Sequence, residues 1–177
     1  MQQKIVSTDR DCIVRRVPNG AKQLISAGEF VTITQDLGGN FTITWRSNMY
    51  RVDGTDADAI GRKPLKLNFS TPQDHNIDES QVYQALESVY DPEIPINLLS
   101  LGLIYNVRTD QTSHSVYIDM TLTAPACGMG PVLVGDVEHR VSMVPNVQKV
   151  LVNLVFDPPW SREMMSEEAQ LEAGLFF

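Results

Sequence analysis

The chain has 177 residues, of which 42% are hydrophobic and 20% charged, and a formal net charge of −8. This is ordinary globular composition, long enough for one full core or two small ones, and no apolar run approaches the roughly 18–20 residues needed to cross a bilayer. Through His75 there are ten Lys/Arg against eight Asp/Glu, and from Asn76 onward four against fourteen, so the second part is strongly acidic and repels phosphate backbones. Neither a nucleic acid nor a membrane is expected as a partner.

The opening stretch "MQQKIVSTDRDC" lacks the apolar centre of a secretion signal, which gives a cytoplasmic expectation. "DCIVRRVPNG" reads as a short strand ending in a Pro-Asn-Gly turn. In "FVTITQ" and "FTITW" apolar side chains alternate with threonines, the period of a strand with one buried face. Between them "DLGGN" supplies Gly38 and Gly39 for the positive φ of a tight hairpin. "YRVDGTDADAIG" continues as a strand end and an acidic loop. The spacing of Asp53, Asp56 and Asp58 does not match a calcium loop, so these carboxylates are read as strand-ending and turn-capping groups. Residues 1–70 therefore form a small antiparallel β-rich domain, and the polar stretch 71–77 a linker.

Residues 78–177 read as a second domain. Asp78 is placed to cap a helix, with Gln81 as its capping-box partner and Ile77 and Val82 as a hydrophobic staple. Val82, Leu86 and Val89 make the buried stripe, widened by Tyr83 and Tyr90, and the helix stops at Asp91 because Pro92 follows. "LIYNV" and "SVYIDMTLT" are expected as antiparallel strands joined by a polar turn. A helix follows with Pro131 at its first position and Leu133, Val137, Val141 and Val144 on its inner face. "VQKVLVNLVF" is apolar on both faces, the pattern of a central strand. After "DPPW", a short helix is expected from a Ser166 cap to Gly174, with Trp160, Met164 and Met165 clustered near its start. The fold class is α+β: a β-rich segment, then a helix–strand–strand–helix–strand sandwich with one mixed sheet and a short C-terminal helix.

Chemistry is concentrated in "TAPACGMGP". Cys127 lies just ahead of a helix N-terminus, where unpaired N–H groups and the macrodipole favour a thiolate. Gly128 and Gly130 leave room for a partner to approach the sulfur, Thr123 supplies a hydroxyl, and Pro125 stiffens the approach. The alternative is a cysteine that packs as a small hydrophobe; Cys12, inside a strand, is read that way. In "DPEIPIN", Asp91 and Glu93 project carboxylates from a proline-stiffened loop, as acid–base groups, metal ligands, partner contacts or merely a loop end. A thiol enzyme needs a base, and His75, His114 and His139 sit in a linker, a hairpin turn and about three helical turns from Cys127. Two cysteines cannot complete a four-thiolate metal site, so any metal must borrow ligands from another molecule.

"DPEIPINLLSLGLIYNV", "MTLTAPACGMGP" and "VLVNLVFDPPWSREMMSEEA" resemble the small domain shared by SufT, PaaD and the eukaryotic cytosolic iron–sulfur targeting subunit, a domain that also precedes some Mrp-type ATPases. The tail and "ITQDLGGNFTI…YRVDGTDADAIG" resemble SufT, which extends the likeness over nearly the whole chain. The resemblance implies an auxiliary factor in iron–sulfur cluster assembly or delivery to client apoproteins, not an enzyme. It maps the family's acidic loop onto Asp91, Pro92 and Glu93, and its Thr-x-Pro-x-Cys turn onto Thr123, Pro125 and Cys127; Ala126 stands where glycine is expected. On this reading Cys127 is a transient thiolate ligand, no cofactor is held stably, and the cargo is an iron–sulfur cluster or iron. The partners are scaffold or carrier proteins and clients, with a homodimer as one way of bridging a cluster. A metal-free adaptor and, last, a thiol-dependent enzyme are the alternatives.

Overall fold

Alternation of apolar and hydroxyl side chains folds the first part of the chain into a six-stranded antiparallel sheet. The computed structural model describes residues 3–125 and 128–174, and the chain divides into two compact units, Met1–Leu67 with Gly128–Gly135 and Asn68–Cys127 with Asp136–Phe177. In the first unit the strands are β1 (Lys4–Ser7), β2 (Cys12–Arg16), β3 (Lys22–Ile25), β4 (Phe30–Leu37), β5 (Asn40–Trp45) and β6 (Asn48–Val52), in the order β1-β4-β5-β6-β2-β3. Gly38 and Gly39, at φ 62° and 80°, make the β4–β5 turn, the left-handed geometry that two-residue hairpins require. Val14, Val31, Ile33, Ile43 and Val52 are at most 2% exposed and centre the core.

The acidic loop after β6 is a 3-10 turn, Gly54–Ile60, capped by Asp53, whose carboxylate accepts from Thr55 N. Asp56 and Asp58 face Arg10, at 2.9 and 2.7 Å. The cluster is thus a turn held by a guanidinium. Cys12 is buried, and burial, reinforced by the charge of Asp56, pushes its thiol up to about 11. A thiol so protonated at neutral pH is packing material.

The second unit holds α1 (Glu79–Glu87), β7 (Ile104–Asp110), β8 (Ser115–Met120), β9 (Lys149–Leu154) and α3 (Glu167–Ala173); α2 (Gly130–Ser142) begins among residues of the first. Asp78 does cap α1, accepting from Ser80 N. The capping box does not form: Gln81 is buried and donates instead to Ser70 O and Oγ. Val82, Leu86 and Val89 are buried, but Tyr83 and Tyr90 are 39% and 36% exposed, so the stripe is narrower than expected and α1 ends at Glu87, ahead of Asp91.

β7 and β8 pair antiparallel, and β8 and β9 pair parallel across α2, giving the order β7-β8-β9. The strand read as central is therefore at an edge. Its two apolar faces have different causes: Val150, Val152 and Leu154 share the core face with the buried Val116, Ile118 and Met120, whereas Leu151 lies beside Tyr117 on the opposite face. Leu133, Val137 and Val141 of α2 are buried, as expected, and so is Val144, which lies two residues past the end of the helix. The tail also follows its reading: Ser166 caps α3 by accepting from Ala169 N, and Gly174 ends it. Trp160 donates its indole N–H to Leu101 O at 2.7 Å, and Met165 is buried while Met164 stays 36% exposed.

Candidate functional site

Asp91 starts the loop by turning its carboxylate back on its own backbone. Its Oδ1 accepts from Glu93 N at 2.8 Å and from Ile94 N at 3.0 Å, an Asx turn that satisfies two amides the flanking prolines keep out of any helix. Asp91 N donates to Ile96 O, Tyr90 bridges to Asn97, and Leu98 N donates to Val89 O, closing the base of the loop. Pro92 and Ile96 are buried beneath it, whereas Glu93 is exposed. Of the two carboxylates, Asp91 thus shapes the loop and Glu93 faces outward.

A chain of backbone bonds connects this loop to the end of β8. Leu103 N donates to Leu98 O, and Thr121 N donates to Leu103 O at 2.8 Å. Two residues later the chain reaches Thr123, half-buried, and Pro125, exposed. Gly102 enables the crossing at φ 70°, where an added Cβ would collide with the Met164 carbonyl. Loop base and strand exit are consequently held in one register. Cys127 and Ala126 lie outside the described residues. Gly128 is exposed, with no atom within 4 Å of where a Cβ would stand. α2 starts at Gly130, three residues beyond the cysteine.

Three residues that shape this region did not emerge from the sequence. Arg140, on α2, is 1% exposed and donates to Ser88 O at 2.7 Å and Ser88 Oγ at 3.0 Å, gripping the end of α1 three residues before Asp91. Its signal was present: a cation at position 140 falls within the helical stripe of Val137, Val141 and Val144. Gln111 clasps Ile77 through both ends of its side-chain amide, Oε1 accepting from Ile77 N and Nε2 donating to Ile77 O. Tyr105 donates its hydroxyl to Pro158 O. Neither of these last two has a local signature. Among the described residues no three His, Cys, Asp or Glu side chains gather as a ligand set, and none of the helices is long and apolar enough to cross a membrane.

Residues 79–152 match the family model described as iron–sulfur cluster assembly protein. The chain is 46% identical over 96 residues to an Fe-S protein maturation auxiliary factor of Porphyromonas gingivalis, covering 54% of this chain and 90% of that protein. It is 39% identical over 87 residues to the Fe-S protein maturation auxiliary factor SufT of Staphylococcus aureus, covering 49% and 98%. A crystal structure of a domain of unknown function, DUF59, from Bacillus anthracis superposes with a TM-score of 0.52 at 40% identity, over 55% of this chain and 92% of that one. These likenesses span about half of the chain, less than the motifs suggested, and the strands β1–β6 fall outside the family model. With a relative this similar matched over nine-tenths of its length, the chain belongs to the SufT-type iron–sulfur cluster assembly protein family.

Proposed function

We propose that this protein is an auxiliary factor that helps assemble iron–sulfur clusters or deliver them to client apoproteins, with Cys127 lending one thiolate in passing. The observation that carries the reading is its 46% identity to a maturation auxiliary factor matched over 90% of that factor's length. The cluster is cargo. One thiolate is too few to store it, since clusters take four such ligands, and a single weak hold favours release to the next protein. The remaining ligands come from a carrier, a client or a second copy of the chain. Gly128 leaves room for a partner at the sulfur, Thr123 supplies a hydroxyl, Pro125 stiffens the approach, Pro92 is the buried anchor of the acidic loop, Asp91 fixes its shape, and Glu93 meets a basic surface on the partner. Iron or a cluster is bound transiently, no other cofactor is used, the protein turns over no substrate of its own, and it works in the cytoplasm with carrier and client proteins. Residues 1–70 and 78–177 act as two domains joined by 71–77.

The test is complementation. Cells lacking the protein are given wild type, Cys127→Ser or Glu93→Gln, and the activity of iron–sulfur enzymes is measured against the amount of each enzyme. Cys127→Ser is expected to leave client polypeptide at normal level with little cluster. Normal client activity with Cys127→Ser would remove the thiolate role. If Cys127→Ser instead loses binding to a carrier or client while wild type never gains metal-linked absorbance, the protein is a metal-free adaptor.

A further inference from the structure

The edge of β9 carries the features of a strand that pairs with another strand. Natural edges are blunted by proline, bulges or inward charge; β9 has none of these, and its sole charge is Lys149 at the start. On the core face Val116, Ile118 and Met120 of β8 are at most 1% exposed, while their neighbours Val150, Val152 and Leu154 on β9 are only half-buried. Among the described residues no strand lies beyond β9.

The ladder fixes which groups face outward. Lys149 N donates to His114 O and Val155 N to Met120 O. In a parallel ladder the direction alternates with period two, so the odd residues bond β8, and Val150, Val152 and Leu154 present N–H and C=O at the free edge. We infer that this edge binds the same edge of a second copy of the chain, antiparallel about a two-fold axis perpendicular to the sheet and centred on Val152. That register alone uses all three outward residues of both copies: Val152 faces Val152, and Val150 faces Leu154 at each end. A perpendicular axis keeps each core face on the same side, so the half-buried valines and leucines of the two copies meet and a six-stranded sheet results. On the other face Leu151 opposes Asn153, and Lys149 opposes Val155 with Asp157 as its diagonal neighbour, within reach of a long side chain.

Charge singles out a second copy here. From Asn76 onward the chain carries fourteen acidic residues, yet none lies between Val141 and Phe156. Asp119 of β8 stands in register beside Asn153 but accepts from the Asn153 amide at 3.2 Å on the face opposite the core. Copies that repel one another elsewhere can therefore approach along the core-face side of this edge, and the two Lys149–Asp157 pairs favour the antiparallel arrangement. An interface of six residues per copy is small, so the dimer is expected to be weak and concentration-dependent.

The experiment is sedimentation equilibrium of the full, cluster-free chain under reducing conditions, which makes it independent of the proposed function. Wild type is expected to shift from monomer to dimer as concentration rises, and Val152→Pro, which removes an outward N–H and leaves the β8 ladder intact, to stay monomeric with an unchanged circular dichroism spectrum. In a Cys127→Ser background, diamide should cross-link Val152→Cys at least ten times faster than Leu151→Cys, because only residue 152 faces itself. Equal rates, or a monomer at every concentration to about 1 mM, would overturn the proposal, as would a dimer that survives Val152→Pro. Should Val152→Pro fail to fold, the two cysteine variants decide alone. A client segment seated on the edge would appear as wild type that stays monomeric by itself, and this too would contradict it.

Discussion

Asp91 and Glu93 stand on either side of Pro92 in different settings, and the hydrogen bonds separate them. Asp91 accepts from two amides of its own loop, whereas Glu93 is exposed. Replacing Asp91 with alanine hands those amides over to water and loses the turn, a cost of about 0.5–1.5 kcal/mol; Asp91→Asn keeps Oδ1 and should recover most of it. Glu93→Gln is expected to change stability by less than about 0.5 kcal/mol and to weaken partner binding and client maturation. Thermal denaturation beside a pull-down with a carrier protein checks both. Equal destabilisation by Asp91→Ala and Glu93→Gln would refute the division of roles. The two cysteines separate as well, since the thiol of Cys12 is buried and pushed up to about 11; it is expected to resist iodoacetamide at pH 7.5 until the unit unfolds, as mass spectrometry of the modified peptides would report.

At the scale of elements, α1 and α2 are joined by a cation placed among apolar residues. Arg140 donates twice to Ser88 at the end of α1, just before the acidic loop. Arg140→Met leaves the half-buried Ser88 carbonyl short of a donor and should cost about 1–3 kcal/mol, with faster amide exchange at Glu93 and Ile94 than in the body of α1. Uniformly faster exchange across the unit would instead mean general loosening. Gly102→Ala is expected to cost about 1–3 kcal/mol from its left-handed backbone alone, and displacement of Met164 adds to it. The elements best read from the sequence were those whose signals are local. Asp78 and Ser166 cap their helices, and Gly38–Gly39 turn their hairpin, because a cap or a tight turn depends on a few adjacent atoms. Strands β1 and β3 escaped notice because their residues are mostly exposed, so no alternation marks them. β9 was misplaced because a two-sided apolar strand looks the same at a sheet centre and at an uncovered edge.

For the whole molecule, the uneven charge has consequences for acid stability and for partners. Asp58 is held below the ordinary carboxylate range, chiefly by its hydrogen bond to Arg10. A depressed folded-state pKa contributes stability that is fully present above about pH 4 and is lost as pH falls through the folded value. Unfolding midpoints of wild type and Arg10→Met should therefore differ by a constant amount at neutral pH and converge below pH 4. With side chains 43% and 47% exposed the pair is screened by water, so the difference should be small and shrink further in 1 M salt. Of the candidate site, the sequence made the shape of the acidic loop legible, because an Asp followed by Pro92 and a Glu between Pro92 and Pro95 form a local pattern; Cys127 lies outside the described residues. What tied the loop to the strand exit was not legible, since Leu98, Leu103 and Thr121 meet through backbone bonds that any side chains could make. The central claim is that one sulfur of this chain takes part in moving a cluster. It is tested most directly by mixing the anaerobic protein with a cluster-loaded carrier and an apo-client, and following client activity and visible absorbance together. Wild type is expected to accelerate transfer and Cys127→Ser to leave it at the rate without the protein; equal acceleration by both would contradict the claim.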